Sequence, residues 1–148
     1  MKRTRGVLIL GWVVLAALML PGCGGGGGPT GPTIVRRTDN VTGNLVRLGF
    51  ERRDLTTNAA GAVNVTLDWN STLNDLDIYV TPTSCSSIDD AIANRGACVA
   101  IVRADGVTTK PERVTYQASA NSTTRIWVYN DGPFSDSYRL AIEYPVSQ

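Results

Sequence analysis

Acidic and amide side chains gather at two places in this chain, and their oxygens are the ligands that calcium takes in proteins. Ca²⁺ binds six to eight oxygens from carboxylates, amides and carbonyls. One group lies at the start of a predicted strand, and the other lies in the loop before the last predicted strand. If the fold brings the groups together, they predict a calcium site formed by Asn74, Asp75, Asp77, Asn130, Asp131 and Asp136.

Other interpretations of these residues stay open. Asp75 and Asp77 lie two apart on a strand and project from the same face, as an ordinary acidic pair near a turn also does. The run Asn130-Asp131-Gly132-Pro133 is likewise typical of a turn. A carboxylate pair can act as general acid and base, but no cleft is evident around Asp75 and Asp77.

The chain contains no histidine. This excludes Ser-His-Asp and Cys-His catalysis and removes the commonest general base. The glycines that begin at Gly24 follow a signal sequence rather than a strand, so they do not form a phosphate-binding loop. We therefore expect a protein that is not an enzyme.

The first 22 residues are typical of a bacterial lipoprotein signal peptide. Lys2, Arg3 and Arg5 precede an apolar run over residues 6–20, which is shorter than the ~20 residues of a membrane-spanning helix. The sequence Leu20-Pro21-Gly22-Cys23 resembles a lipobox, in which the cysteine is acylated after cleavage. We predict a signal helix over residues 1–22 and lipidation at Cys23.

Two alternatives for this segment are a retained transmembrane anchor and a secreted protein with a free Cys23. The residue after Cys23 is Gly24 rather than the aspartate that favours inner-membrane retention, so we predict a lipid-anchored cell-envelope protein of the outer membrane. Residues 23–33 are rich in glycine and proline and predict a flexible tether. Residues 34–148 remain as one domain.

Cys85 and Cys98 are the cysteines left after Cys23 is assigned to lipid. In an oxidising compartment they predict a disulfide, which would stabilise the fold by roughly 3 kcal/mol in the chain-entropy model. Zinc is the competing interpretation, but the chain has too few thiols for a zinc site. Without its signal peptide the chain carries 11 basic and 13 acidic residues, a balance that argues against a nucleic-acid partner.

Short runs rich in Val, Thr, Ile and Tyr, separated by Asn, Asp, Gly and Pro, predict an all-β fold. About eight strands are indicated, over residues 41–50, 51–57, 62–69, 75–80, 99–103, 113–118, 124–130 and 138–144. One short helical turn is predicted over residues 86–94, with Ser87 as its N-cap.

Several of these segments resemble the bacterial pre-peptidase C-terminal domain. They read GAVNVTLDW (61–69), DLDIYV (75–80), KPERVT (110–115) and IWVYN (126–130), followed by SYRLAI (137–142). The resemblance implies a jelly-roll-like antiparallel β-sandwich of the kind appended to exported enzymes. Some members of that family bind calcium, and related collagen-binding domains use surface tyrosines.

Three aromatic residues are candidates for ligand contact: Tyr79, Trp127 and Tyr129. If Ile126 and Val128 face the core, Trp127 and Tyr129 point the opposite way. Exposed Trp and Tyr are common binding anchors. The alternative is that a loop covers this face and buries the two rings.

Together these features predict a non-catalytic, lipid-anchored envelope protein whose β-sandwich binds a protein or a polysaccharide. The alternative is a structural or assembly component of an envelope protein complex, with no small ligand. Ca²⁺ is the one cofactor that the residues suggest.

Overall fold

A computed structural model describes residues 31–107 and 109–148 of the protein. In this part of the chain the elements are β1 (Ile34–Leu45), β2 (Phe50–Thr57), β3 (Gly61–Trp69), β4 (Leu76–Pro82), α1 (Ile88–Ile92), a 3-10 turn (Gly96–Cys98), β5 (Val102–Ala104), β6 (Glu112–Ala118), β7 (Ser122–Asn130) and β8 (Asp136–Ser147). None of the helices in these ranges is long and apolar enough to cross a membrane. The predicted signal peptide, Cys23 and most of the predicted tether lie outside the described residues.

The eight strands form two antiparallel sheets, with the strand orders β1-β8-β3-β6 and β2-β7-β4-β5. The pairs β1 with β8, β2 with β7, β3 with β6 and β4 with β5 are nested, as in one long hairpin that has been rolled up. This is the strand order of a jelly roll. The predicted all-β, jelly-roll-like sandwich is therefore confirmed.

Alternating side chains of the central strands fill the space between the sheets. In β3 the residues Val63, Val65, Leu67 and Trp69 are buried, as the sequence predicted. In β4 the side chains of Leu76, Ile78 and Val80 are fully buried in the same core. Burial of each such side chain stabilises the fold by roughly 1.5–3 kcal/mol.

Two predicted strands differ from the observed ones. Residues 41–50 were expected to form one strand, but β1 ends at Leu45 and a turn follows, in which the Gly49 N–H donates to the Val46 carbonyl over 2.8 Å. The β1 strand begins at Ile34, in a stretch where exposed polar residues hide the strand pattern. The strand predicted over residues 99–103 is also shorter than expected, because β5 begins only at Val102 and includes just Val102 and Arg103 of that range.

The segment between β4 and β5 covers the outer face of the second sheet. Its disulfide between Cys85 and Cys98 is present, as predicted. The predicted helical turn is also confirmed, since the Ser87 hydroxyl caps α1 by accepting from the Asp90 N–H over 3.2 Å. This segment forms a second apolar cluster with the sheet, which comprises Tyr79, Cys85, Ile88, Ala91, Cys98 and Trp127. The second sheet is thus apolar on both faces.

Candidate functional site

Four connections between strands meet at one end of the sandwich, which we call the loop end. It comprises residues 46–49, 70–75, 105–107 with 109–111, and 131–135. Hydrogen bonds join some of these connections directly: the Gly132 N–H donates to the Asp75 carbonyl over 3.0 Å, and the Lys110 ammonium donates to the Asn70 carbonyl over 3.1 Å. The jelly-roll order requires this convergence, because each connection follows an odd-numbered strand that runs toward this end.

Three carboxylates lie together beside the loop end. Asp75, Asp77 and Glu112 each place one oxygen so that all three atoms lie within 4.8 Å of one another. Asp75 is the last residue of the β3–β4 connection, Asp77 lies at the start of β4, and Glu112 is the first residue of β6 in the other sheet. The cluster therefore bridges the two sheets beside the loop end.

Asp77 is buried without full hydrogen bonding. Its side chain is 4 % exposed, and its Oδ2 accepts from the Tyr79 hydroxyl over 3.3 Å, whereas its Oδ1 has no hydrogen-bond partner. Burial, and then the negative charge of Asp75, raise the pKa of Asp77 to about 7. An ionised Asp77 is thus costly in the protein alone, because a buried charge needs a partner.

Glu112 is also buried, at 1 % exposure, but backbone donors satisfy it. One oxygen accepts from the Gly106 N–H over 3.1 Å and the other from the Ile78 N–H over 3.2 Å. Desolvation raises the pKa of Glu112 to about 8, with a further contribution from the charge of Asp77. Each carboxylate oxygen keeps a second lone pair, so these contacts leave Glu112 able to bind a cation.

Asp75 connects the cluster to solvent, since it is only partly buried. Burial raises the pKa of Asp75, and the charge of the exposed Asp131 in the β7–β8 connection raises it further. Asp75 therefore links the buried pair to the surface of the loop end.

The structure revises the predicted calcium ligands. It does bring residues 74–77 next to residues 130–136, since the Phe134 N–H donates to Asn74 Oδ1 over 3.2 Å. However, Asn130 donates to the carbonyls of Leu45 and Phe134, and Asp136 accepts from backbone N–H groups in the β3–β4 connection. Asn74, Asn130 and Asp136 thus hold loops in place, and they lie outside the three-carboxylate cluster.

Glu112 was missed in the sequence, although a signal was present. In β6 it shares its strand face with Val114 and Tyr116, which are core residues. An acidic residue at a core position is unusual unless it is paired or protonated. The alternation of Glu112 with these core residues, at every second position, would have identified it as a candidate.

The expectation of exposed aromatic anchors was wrong for two residues. Trp127 is fully buried and Tyr79 is 2 % exposed, because the disulfide-bonded segment covers them. The Trp127 indole N–H donates to the Thr81 hydroxyl over 3.0 Å. Only Tyr129 of the three is partly exposed, so the alternative, burial under a loop, is confirmed for Trp127.

Large apolar side chains are instead exposed on the connections of the loop end. We call five of them the apolar tips, and their exposed fractions are 54–79 %. They belong to all four connections: Val46, Leu48, Leu73, Val107 and Phe134. Large apolar side chains exposed together at one end of a domain commonly mark a site of interaction.

No family model matches this chain, and no curated protein matches it. Among solved structures, it is similar to PliG of Aeromonas hydrophila, a periplasmic inhibitor of g-type lysozyme. The two share 16 % identity with a TM-score of 0.48, and the match covers 75 % of this chain and 86 % of that one. The resemblance to the pre-peptidase C-terminal domain stays a prediction.

Proposed function

We propose that this chain is a non-catalytic, lipid-anchored envelope protein whose jelly-roll domain binds a partner through its loop end, with protein favoured over polysaccharide. The observation that carries the proposal is the set of apolar tips, which place apolar side chains in solvent on four adjacent connections. Exposed apolar surface does not stabilise the fold, so its concentration at one end supports a binding role.

The loops that carry the tips are held in place before any partner arrives. Asn130 is fully buried, and its amide donates to the carbonyls of Leu45, Val46 and Phe134 over 2.8–3.2 Å. Asn74 also fixes the β7–β8 connection, because its Oδ1 accepts from the Phe134 N–H over 3.2 Å. Binding to such preorganised loops has a smaller entropic cost than binding to flexible ones.

The chemistry of the tips favours a protein over a polysaccharide. Four of the five are aliphatic, and only Phe134 offers an aromatic ring on which a sugar could stack. The core of a protein interface is typically apolar with a polar rim. The carboxylates of Asp75 and Asp131 beside the tips would supply part of such a rim.

The predicted anchor is compatible with this surface. Residues 24–33 can span at most about 35 Å at ~3.5 Å per residue, and the 12 residues of β1 extend about 40 Å at ~3.4 Å per residue. Because β1 begins at the end opposite the loop end, the predicted tether would join the domain at the end that does not carry the tips. A partner in the envelope space could then reach them.

The carboxylate cluster does not favour hydrolysis as the function. Glycosidases place two carboxylates about 5–9.5 Å apart around a sugar. Asp77 and Glu112 are buried, and both oxygens of Glu112 accept backbone hydrogen bonds. A sugar ring therefore has no path between them.

The anchor can be tested by itself. We expect Cys23→Ala to abolish fatty-acid labelling and to block normal processing, because the acylated sulfur would be missing. A variant that is labelled and sediments with membranes like the parent would refute lipidation at Cys23.

Partner binding can be tested with a double variant of the tips. The full-length protein and the variant Leu73→Ser/Phe134→Ser would be compared on an array of collagens, glycans and purified envelope proteins, with Gln117→Ala on an exposed strand face as the matched control. We expect binding by the parent and the control, with at least a tenfold loss in the double variant. Equal binding by all three proteins would place the site elsewhere. Binding to nothing on the array, with stable co-purification of another envelope protein, would favour the structural alternative.

A further inference from the structure

We propose that Asp75, Asp77 and Glu112 form a divalent-cation site that takes Ca²⁺. The site contains none of the tips, although Asp75 also lies at the loop end, so its test does not require a partner. Two observations carry it: three carboxylate oxygens lie within 4.8 Å of one another, and the 4 % exposed Asp77 keeps its Oδ1 without a partner.

An unpartnered oxygen is the stronger of these two observations. Buried polar atoms in native proteins nearly always have a hydrogen-bond partner, and each exception needs an explanation. No donor among the described residues reaches Asp77 Oδ1, and the Asp77 carboxylate lies in a cluster with two further carboxylates. A cation would satisfy Oδ1 and would also neutralise the repulsion among Asp75, Asp77 and Glu112.

The chemistry of the site fits Ca²⁺ better than Mg²⁺. Calcium binds oxygen at about 2.3–2.6 Å in flexible geometry, so ligands up to about 5 Å apart can share one ion, and the three oxygens meet that limit. Magnesium requires near-ideal octahedral geometry and usually keeps several waters, so it is seldom held by protein carboxylates alone. Zinc prefers nitrogen and sulfur ligands, but the chain has no histidine and both cysteines of the domain are paired.

Access and coordination number are also consistent with calcium. Asp75 is partly exposed, so an ion can enter from the loop end without opening the core. Water reaching the cluster past Asp75 can fill the coordination positions that three carboxylates leave open, since Ca²⁺ takes six to eight oxygens. The buried side is rigid because Glu112 is fixed by two backbone N–H groups.

The test is calorimetric titration of CaCl₂ into the full-length protein after dialysis against a chelator, at pH 7.5. We expect one ion per chain, with affinity lowered at least tenfold in Asp77→Asn and in Asp75→Asn. The matched control is Asp89→Asn, which removes an exposed carboxylate from α1 and should bind calcium like the parent. Asp75→Asn guards against misfolding, because its side chain is only partly buried.

A second readout uses Tb³⁺, which occupies calcium sites and emits when a nearby aromatic ring is excited. The Tyr79 hydroxyl lies 3.3 Å from Asp77 Oδ2, so sensitised emission is expected in the parent and not in folded Asp77→Asn. No calcium heat and no terbium emission from the parent would overturn the proposal. Calcium binding as tight in both Asp75→Asn and Asp77→Asn as in the parent would also overturn it. Because neither assay includes a partner, failure here leaves the tip variants as a separate test.

Discussion

Replacing Asp77 by asparagine should stabilise the cation-free protein, and the gain should grow with pH. Burial raises the pKa of Asp77 from 3.8 to about 7. A group whose pKa is raised on folding contributes stability at low pH, which is lost as the pH rises through the folded pKa. Each pKa unit corresponds to about 1.36 kcal/mol, so the parent should lose about 2 kcal/mol from Asp77 between pH 5.5 and 7 and little more up to pH 8.5.

The Asp77→Asn side chain would keep an acceptor for the Tyr79 hydroxyl but would carry no charge to bury. The free energy of unfolding of the variant, relative to the parent, should therefore increase by about 2 kcal/mol between pH 5.5 and 8.5. For a domain of this size, the difference in melting temperature between variant and parent should therefore be about 8 °C larger at pH 8.5 than at pH 5.5.

The assay is urea unfolding in the presence of a chelator at both pH values, with Asp89→Asn as the control. The control should show no such dependence, because Asp89 is exposed. If the difference in the free energy of unfolding between variant and parent is the same at both pH values, or smaller at pH 8.5, the charge of Asp77 does not destabilise the folded protein.

Three further results are expected. Replacing Cys85 and Cys98 by serine should lower the free energy of unfolding by roughly 3 kcal/mol in urea titrations, and an unchanged midpoint would show that the disulfide is dispensable. Trp127→Ala should cost about 3–5 kcal/mol in the same assay because the indole is fully buried; a cost below ~1 kcal/mol would indicate an exposed ring. Gly43→Ala should lower the melting temperature, since its Cβ would lie 2.6 Å from the Tyr138 ring, with a typical overpacking cost of about 1–3 kcal/mol.

The fold could be predicted where one strand face is apolar and the other polar. The β3 pattern is of this kind, and its alternation alone identified the buried residues. The first part of β1, residues 34–40, could not be found in this way, because β1 lies at a sheet edge and exposes residues such as Arg36 and Arg37. The length of β5 was overestimated for a related reason: Val99 and Ile101 are apolar but exposed.

Part of the candidate site could be predicted because its residues are neighbours in sequence. Asp75 directly precedes β4 and Asp77 lies within it, so their proximity follows from their separation of two residues. Glu112 joins them only through the packing of β6 against β4, which no local pattern specifies. The carboxyl and amide groups of Asp136 and Asn130 look the same in sequence as metal ligands, and only their backbone partners show that they fix loops.

The nested pairing of β1 with β8 has a mechanical consequence. A chain held at its N-terminus by a lipid and at the loop end by a partner would be pulled along the direction of β1. The β1 and β8 strands pair over 12 residues, from Ile34 with Ser147 to Leu45 with Asp136. A pull along β1 loads these backbone hydrogen bonds in shear, so they resist together, whereas a pull that separated the neighbouring ends at Ile34 and Ser147 would open them one at a time. The same sheet is thus strong in the direction in which a tethered binding protein would be loaded.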